Sequence, residues 1–414
     1  MDTKDQEKPT NISIYKRQLV KYDSDSESIS GGKKKANRLS ISKKRNRYGK
    51  KKNQILQHRE TKMEMLFGQT HNIKKLFHCC VPKEISDPVP HELFSSYQTL
   101  KTFYRPLYKN KVRVFSKMGN SIKNHMIVEF FPFDHMVEDR KKGWQEFVDF
   151  LLHRRNFIND VSKKNSSLLS GTMYAEGWRK AQVSSQIFGR YINQTKLNQQ
   201  VKKMELNQDE EAAGFMKMGF FLSRVFQEIA SGAYESCKSY LKEHSLPSLS
   251  QMNFNQKDNY CPDNFSSAIT YTINDFSNKA HVDNDSDNWT LIGFIPIRQN
   301  GKIAYKDFDV EGGEFVIRDL QVFIDLPRVE GIKLVVLKTS ELKHQTLPSK
   351  STSDLCTRFG FSCQISKTMT NTMEKFHNNY YKGRNHTFGN YDDYIKRLMK
   401  SELVFFTIKF CFFL

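Results

Sequence analysis

Four residues in fixed order constrain this chain more than anything else in it: His281, Asp283, His344 and Arg358. One residue separates His281 from Asp283, so along an extended backbone, where side chains alternate, both point the same way. His344 follows roughly sixty residues later, and Arg358 fourteen residues after that. The chain between and around them reads as short strands. Ala268 to Ile273 alternates in β fashion just before the first His. Thr290 to Ile297, Gly313 to Ile317, Val322 to Leu326, Ile332 to Leu337 and Leu355 to Ile365 are further β-rich runs, punctuated by Gly301, Gly312, Gly313, Pro327 and Gly331. Strands this short at this spacing predict a sandwich or barrel. The expected fold class is α+β, mainly β, with a double-stranded β-helix (jelly-roll, cupin-like) core.

Two imidazoles and one carboxylate are the ligand set of the facial triad that holds non-heme Fe(II), leaving positions open for co-substrate and O2. His281, Asp283 and His344 are therefore candidate iron ligands near one mouth of the barrel. Arg358, inside a strand-like run, can offer a two-pronged planar donor to a carboxylate. Together the four predict chemistry with iron and 2-oxoglutarate as cofactors. A His-x-Asp pair alone is common by chance; order, spacing and context in combination carry the reading. The same loop places Asp283, Asp285 and Asp287 alternately, like the start of a calcium loop, but the glycine and terminal glutamate of such a loop are missing at the required offsets.

At this point the residues resemble a known family. His281-Val-Asp283, Gly312-Gly313-Glu314-Phe315, Leu342-Lys343-His344-Gln-Thr346 and Thr357-Arg358-Phe359-Gly360 look like the Tet-like (Tet/JBP) 2-oxoglutarate/Fe(II) oxygenases, above all their fungal expansion. Gly171-Thr-Met-Tyr-Ala-Glu-Gly-Trp-Arg179 and Gly189-Arg-Tyr191 look like the helical region that precedes the barrel in that family. The resemblance covers roughly Pro82 to Lys367. It implies His281, Asp283 and His344 as iron ligands, Arg358 as the partner of the distal 2-oxoglutarate carboxylate, and stepwise oxidation of the methyl group of a modified base, usually 5-methylcytosine in DNA. Animal Tet enzymes carry an Asn that contacts the target base five residues after the first ligand His. Here that position is Ser286, between Asn284 and Asn288, so the base stays open. Asn284, Asn288 and Trp289 are the candidate substrate contacts.

Composition bears on the partners. The formal charge is +20, and Lys33 to Lys52 holds eleven Lys or Arg and no acid. This basic block resembles a bipartite nuclear-localisation signal and suits phosphate backbones, so a nuclear protein with DNA as partner is expected. Seven cysteines show no regular framework and no Cys-x-x-Cys, which predicts free thiols. The apolar run Leu403 to Leu414 is too short to cross a membrane, so no membrane partner is expected.

The expected domains are a disordered basic tail (1–63), an oxygenase domain (64–370) and a C-terminal extension (371–414). Within the second, helical support is expected over about 134–244 and the barrel core over about 255–367. In the support, Trp144, Phe147, Phe150, Leu151 and Phe157 form one helical stripe, Ser170 to Gln194 is a second candidate helix, and Asp209 to His244 is a third, with Phe215, Phe220, Phe221, Val225, Phe226 and Ile229 inward. Val112 to Phe115 and Met126 to Phe131 read as added strands, and Tyr391 to Met399 as a short helix. The function expected is a nuclear dioxygenase acting on a base flipped out of the duplex. The alternatives are an oxygenase of protein side chains or alkylated bases, and a catalytically silent DNA- or chromatin-binding barrel.

Overall fold

A computed structural model describes residues 76–81, 97–161, 167–180, 186–203, 206–254, 263–286, 289–383 and 387–396. Of the two units into which the chain divides, Met1–His58 and Arg59–Leu414, every described residue lies in the second. The basic block at Lys33 to Lys52 and the apolar run from Leu403 lie outside the described residues.

In chain order, β1 (Leu76–Val81), α1 (Tyr97–Phe103), β2 (Arg105–Leu107), β3 (Lys111–Met118) and β4 (Ser121–Pro132) come first. Then follow α2 (Glu138–Arg154), β5 (Leu168–Lys180), β6 (Gln186–Arg190), α3 (Gln194–Lys202) and α4 (Gln208–Glu243). The region around the four key residues contributes β7 (Ala268–Asn278), β8 (Thr290–Arg298), β9 (Val310–Gly312), β10 (Phe315–Ile317), β11 (Val322–Ile324) and β12 (Gly331–Leu337). It continues with β13 (His344–Thr346), β14 (Ser349–Ser351) and β15 (Cys356–Gln364), followed by α5 (Lys367–His377) and β16 (Thr387–Gly389).

The major sheet runs β1-β3-β4-β12-β8-β15-β7-β5-β6-β16, and the minor sheet runs β13-β10-β11-β2. This is the jelly-roll core that the strand spacing predicts. β8 and β12, at the centre of the major sheet, are largely apolar on both faces, because both are covered. One face packs Ile292, Phe294 and Val335 against Phe315, Ile317, Val322 and Ile324 of the minor sheet. The other packs Leu291, Ile295, Leu334, Phe359 and Phe361 against Trp144, Phe147 and Leu151 of α2 and Phe215, Leu222 and Phe226 of α4. The helices therefore buttress the sheet on the side away from the minor sheet. α2 carries Glu138 and Asp139 in its first turn and His153 and Arg154 in its last, charges that suit its dipole. Asn207 caps α4 by accepting from the N–H groups of Asp209 and Glu210, and the helix breaks at Ala230.

Several expectations change. Ser170 to Gln194 is not a helix: it forms β5 and β6, and β5 pairs antiparallel with β7 along most of its length. Gly171 (φ 72°) and Gly177 (φ 101°) adopt left-handed backbone, and a Cβ on Gly177 would stand 2.5 Å from the Ser267 carbonyl oxygen. No helix accommodates those two positions, so the helical support over 134–244 is interrupted by two strands. Phe220 turns outward and is half exposed, whereas the other inward aromatics of α4 are buried or partly buried. The described residues beyond Lys367 stay in the fold. α5 packs on β5 and β6, β16 pairs with β6, and Tyr391, Tyr394 and Ile395 enter the helix-side core. Residues 391–396 are helical. Cys79, Cys80, Cys237, Cys356 and Cys363 are free thiols. Among the described residues, no helix is long and apolar enough to cross a membrane.

Candidate metal centre

β7 ends at Asn278, and the chain leaves the major sheet to cross to the minor one. There His281 and His344 face each other in an isolated antiparallel bridge and exchange both backbone hydrogen bonds, at 3.0 and 2.9 Å. Asp283 is anchored by its N–H to the Thr339 carbonyl at 3.0 Å. Alternation then places both histidines and the acid on one side. His281 Nε2 lies 3.3 Å from Asp283 Oδ1, and His344 Nε2 lies 3.8 Å from Asp283 Oδ2. The three donor atoms all fall within 4.8 Å of one another.

The backbone fixes which nitrogen is offered. His281 Nδ1 is 2.9 Å from the Lys279 carbonyl and His344 Nδ1 is 2.8 Å from the Leu342 carbonyl. A carbonyl only accepts, so each Nδ1 carries a proton, which leaves each Nε2 as the nitrogen offered to a metal, the arrangement usual for imidazole ligands. Burial pushes the Asp283 carboxyl up, but the hydrogen bond from His281 and the charges of the two imidazoles outweigh it, and the group sits below the usual carboxylate range. Burial also opposes charge on His281, where Asp283 wins and raises the value; on the more deeply buried His344 burial prevails and lowers it. Two imidazole nitrogens and an ionised carboxylate are a donor set that fits Fe(II).

The three residues line one end of a cavity of about 320 Å³ between the sheets. Its wall is partly polar: Thr270 and Thr272 of β7 stand opposite Ser362 and Gly360 of β15. Asn278 also lines it and accepts from the Thr346 N–H at 2.7 Å. Arg358 shares the face of β15 that presents Gly360, Ser362 and Gln364 to the cavity. Its guanidinium is turned onto two carbonyls, Nη1 donating to Gly313 (3.4 Å) and Nη2 to Gly312 (3.3 Å), and does not itself line the cavity. A Cβ on Gly313 would lie 2.0 Å from Nη1, so the pair of glycines, both at positive φ, is what lets the guanidinium rest there.

Arg358 is buried, and among the described residues no carboxylate lies within ion-pair distance of it. Burial lowers its pKa to about 10, with Glu314 and Asp275 offsetting only part of the effect. Arg154 shows the contrast: equally buried, it is paired with Glu176 and Glu211 and is pushed the other way. A buried cation without a counter-charge is costly, and an incoming carboxylate would relieve that cost. The residues present thus fit a dicarboxylate co-substrate as well as a metal.

The remaining expected contacts fare differently. Trp289 is built into the helix-side core, beneath the Lys338 ammonium, and does not line the cavity. Asn284 is exposed, with its carbonyl accepting from the Lys367 N–H. Asn288 lies outside the described residues. Ser286 donates its N–H to the Ile365 carbonyl, and its hydroxyl is buried without a partner. Sequence reasoning missed Thr270, Thr272, Ser362 and Gln364. Their signal was present: polar residues at alternate positions inside runs that are otherwise apolar.

A family model described as the Tet-like 2OG-Fe(II) oxygenase superfamily matches residues 137–349, a span that includes His281, Asp283 and His344. No curated protein matches the sequence.

Proposed function

The chain belongs to the Tet-like 2OG-Fe(II) oxygenase superfamily, enzymes dependent on 2-oxoglutarate and Fe(II), and from that footing we propose that it oxidises the methyl group of a modified base in DNA, with 5-methylcytosine as the substrate. The observation that carries the reading is the convergence of His281, Asp283 and His344 at the end of a cavity whose wall also bears Arg358's strand. When bound, Fe(II) with 2-oxoglutarate and O2 supplies oxidation of a substrate C–H bond, with conversion of 2-oxoglutarate to succinate and CO2.

In this reading His281 and His344 give Nε2, and Asp283 gives one carboxylate oxygen, to the metal. The Lys279 and Leu342 carbonyls keep both rings in the required tautomer. Arg358 exchanges its glycine carbonyls for the far carboxylate of 2-oxoglutarate, forming charge-assisted hydrogen bonds. Phe294 and Phe315 exclude water from the space between, while Thr270, Thr272 and Ser362 offer hydroxyls to polar edges of what enters. A base stacked in a duplex cannot reach a cavity between two sheets, so the target must be flipped out. We read the basic block from Lys33 to Lys52 as the source of nuclear import and of sequence-independent phosphate contact.

The test is mass spectrometry of digested nucleosides after anaerobically reconstituted protein is given 2-oxoglutarate, O2 and methylated duplex DNA. Appearance of 5-hydroxymethylcytosine supports the substrate. Succinate without an oxidised base discards DNA methyl groups and leaves protein side chains or alkylated bases. Neither product from iron-loaded protein favours a silent binding barrel.

A further inference from the structure

Asn278 closes β7 three residues before His281 and is only 9% exposed. It lines the cavity, and it also reaches β13, where the Thr346 N–H, two residues past His344, donates to its Oδ1 at 2.7 Å. A backbone N–H only donates, so the amide atom facing it is the oxygen, and the orientation of the group is settled by chemistry. Nδ2 is then the other prong. Among the described residues it meets no acceptor. The bond to Thr346 alone reads as a staple between two strand ends. An aspartate would serve that staple equally well, since its oxygen accepts the same N–H. What the amide adds is a pair of N–H donors in the cavity wall beside the two histidines.

The neighbouring groups offer the opposite. Asp283 is ionised and only accepts, and the Nδ1 protons of His281 and His344 are taken by carbonyls. The hydroxyls of Thr270, Thr272 and Ser362 can turn to donate or accept, whereas Nδ2 can only donate. A nearly buried donor left without an acceptor is unfavourable, and an oxygen carrying negative charge relieves it most. Arg358 stands on the face of β15 that leads through Gly360 and Ser362 into this cavity, with the three candidate metal ligands at one end. A dicarboxylate held by Arg358 at its far end and lying along that face carries its other carboxylate toward the histidines. Resting on the reading of Arg358 as the anchor of the co-substrate, we propose that Asn278 is a binding residue that donates from Nδ2 to the near carboxylate of 2-oxoglutarate, with its orientation held by Thr346.

The test is calorimetric titration of 2-oxoglutarate into the full chain loaded with Zn(II), with Zn(II) affinity measured separately against a chelating dye. Asn278→Asp keeps the staple and replaces the donor with an acceptor; Asn278→Ala removes the donor without adding charge. Both should bind 2-oxoglutarate about 10- to 100-fold more weakly than wild type, with Zn(II) affinity no lower. Weakening in Asn278→Asp alone would be repulsion by a new charge and overturns the contact. A fall in Zn(II) affinity in Asn278→Asp overturns it in favour of a purely structural role. Wild-type 2-oxoglutarate affinity in both variants overturns it as well, and a loss of affinity for methylated duplex DNA in those variants would then assign the donor to the base. Absence of 2-oxoglutarate binding in wild type overturns the reading of Arg358 as anchor, and the proposal with it.

Discussion

Charged side chains inside this protein divide into those that are paired and those that wait for a partner. Glu176 is the hub of the first kind. It bonds Arg154 Nε at 2.8 Å and Arg190 Nη2 at 3.2 Å, and accepts from the Gly177 N–H, with all three charged groups fully buried. Replacing Glu176 with Ala leaves two buried guanidinium groups short of a counter-charge, and a loss of about 3–5 kcal/mol in denaturant-measured stability is expected. Glu176 and Arg190 stand in the stretches Ala-Glu-Gly-Trp-Arg and Gly-Arg-Tyr, so the sequence drew attention to them by resemblance. Their pairing was not legible, because β5, β6 and α2 meet only in the folded chain. Lys333 has no such hub. Burial drops its pKa from 10.5 to about 7, and among the described residues its ammonium reaches the Val329 and Gly331 carbonyls and no carboxylate. Between those two values the unfolded chain holds the proton and the folded chain does not, so stability rises with pH across that window; below it the full penalty applies. Wild type should therefore gain stability from pH 7 to 9, and Lys333→Met should gain less over the same range and be the more stable at pH 7. Equal pH profiles in the two proteins would show that Lys333 does not titrate there.

Among the elements, those built on local pattern were legible and those built on distant pairing were not. α2 and α4 carry apolar stripes at helical spacing, and β7, β8, β12 and β15 are short apolar runs between turn residues, so each announces itself. β5 does not, because its partner β7 lies about a hundred residues away and its own composition is mixed. Its strand character rests on that pairing and on glycines at 171 and 177. Gly177→Ala places a methyl group 2.5 Å from the Ser267 carbonyl oxygen at a left-handed position, and a stability loss of at least about 1–3 kcal/mol is expected by thermal or chemical denaturation. The candidate site was legible for a related reason. His281 and His344 pair across a bridge and Asp283 follows two residues later, so order and alternation point to these three, while Arg358 lies on β15, whose same face lines the cavity. Trp289 enters the helix-side core, a placement that proximity to the loop in sequence does not reveal.

At the scale of the molecule, helices cover one face of the major sheet and the minor sheet covers the other, with the cavity between the two sheets. Of the +20 formal charge, eleven basic residues fall in Lys33 to Lys52. Deleting that block should reduce the steepness with which DNA affinity falls as salt rises, read from binding isotherms at several ionic strengths. An unchanged slope would assign the phosphate contacts to the folded unit instead. The most direct test of the oxygenase site is succinate release from 2-oxoglutarate by anaerobically iron-loaded protein after O2 is admitted, wild type against Asp283→Ala. Wild type should release succinate and the variant should not; release by Asp283→Ala at the wild-type rate, or none from iron-loaded wild type, would contradict the assignment of His281, Asp283 and His344 as the metal ligands.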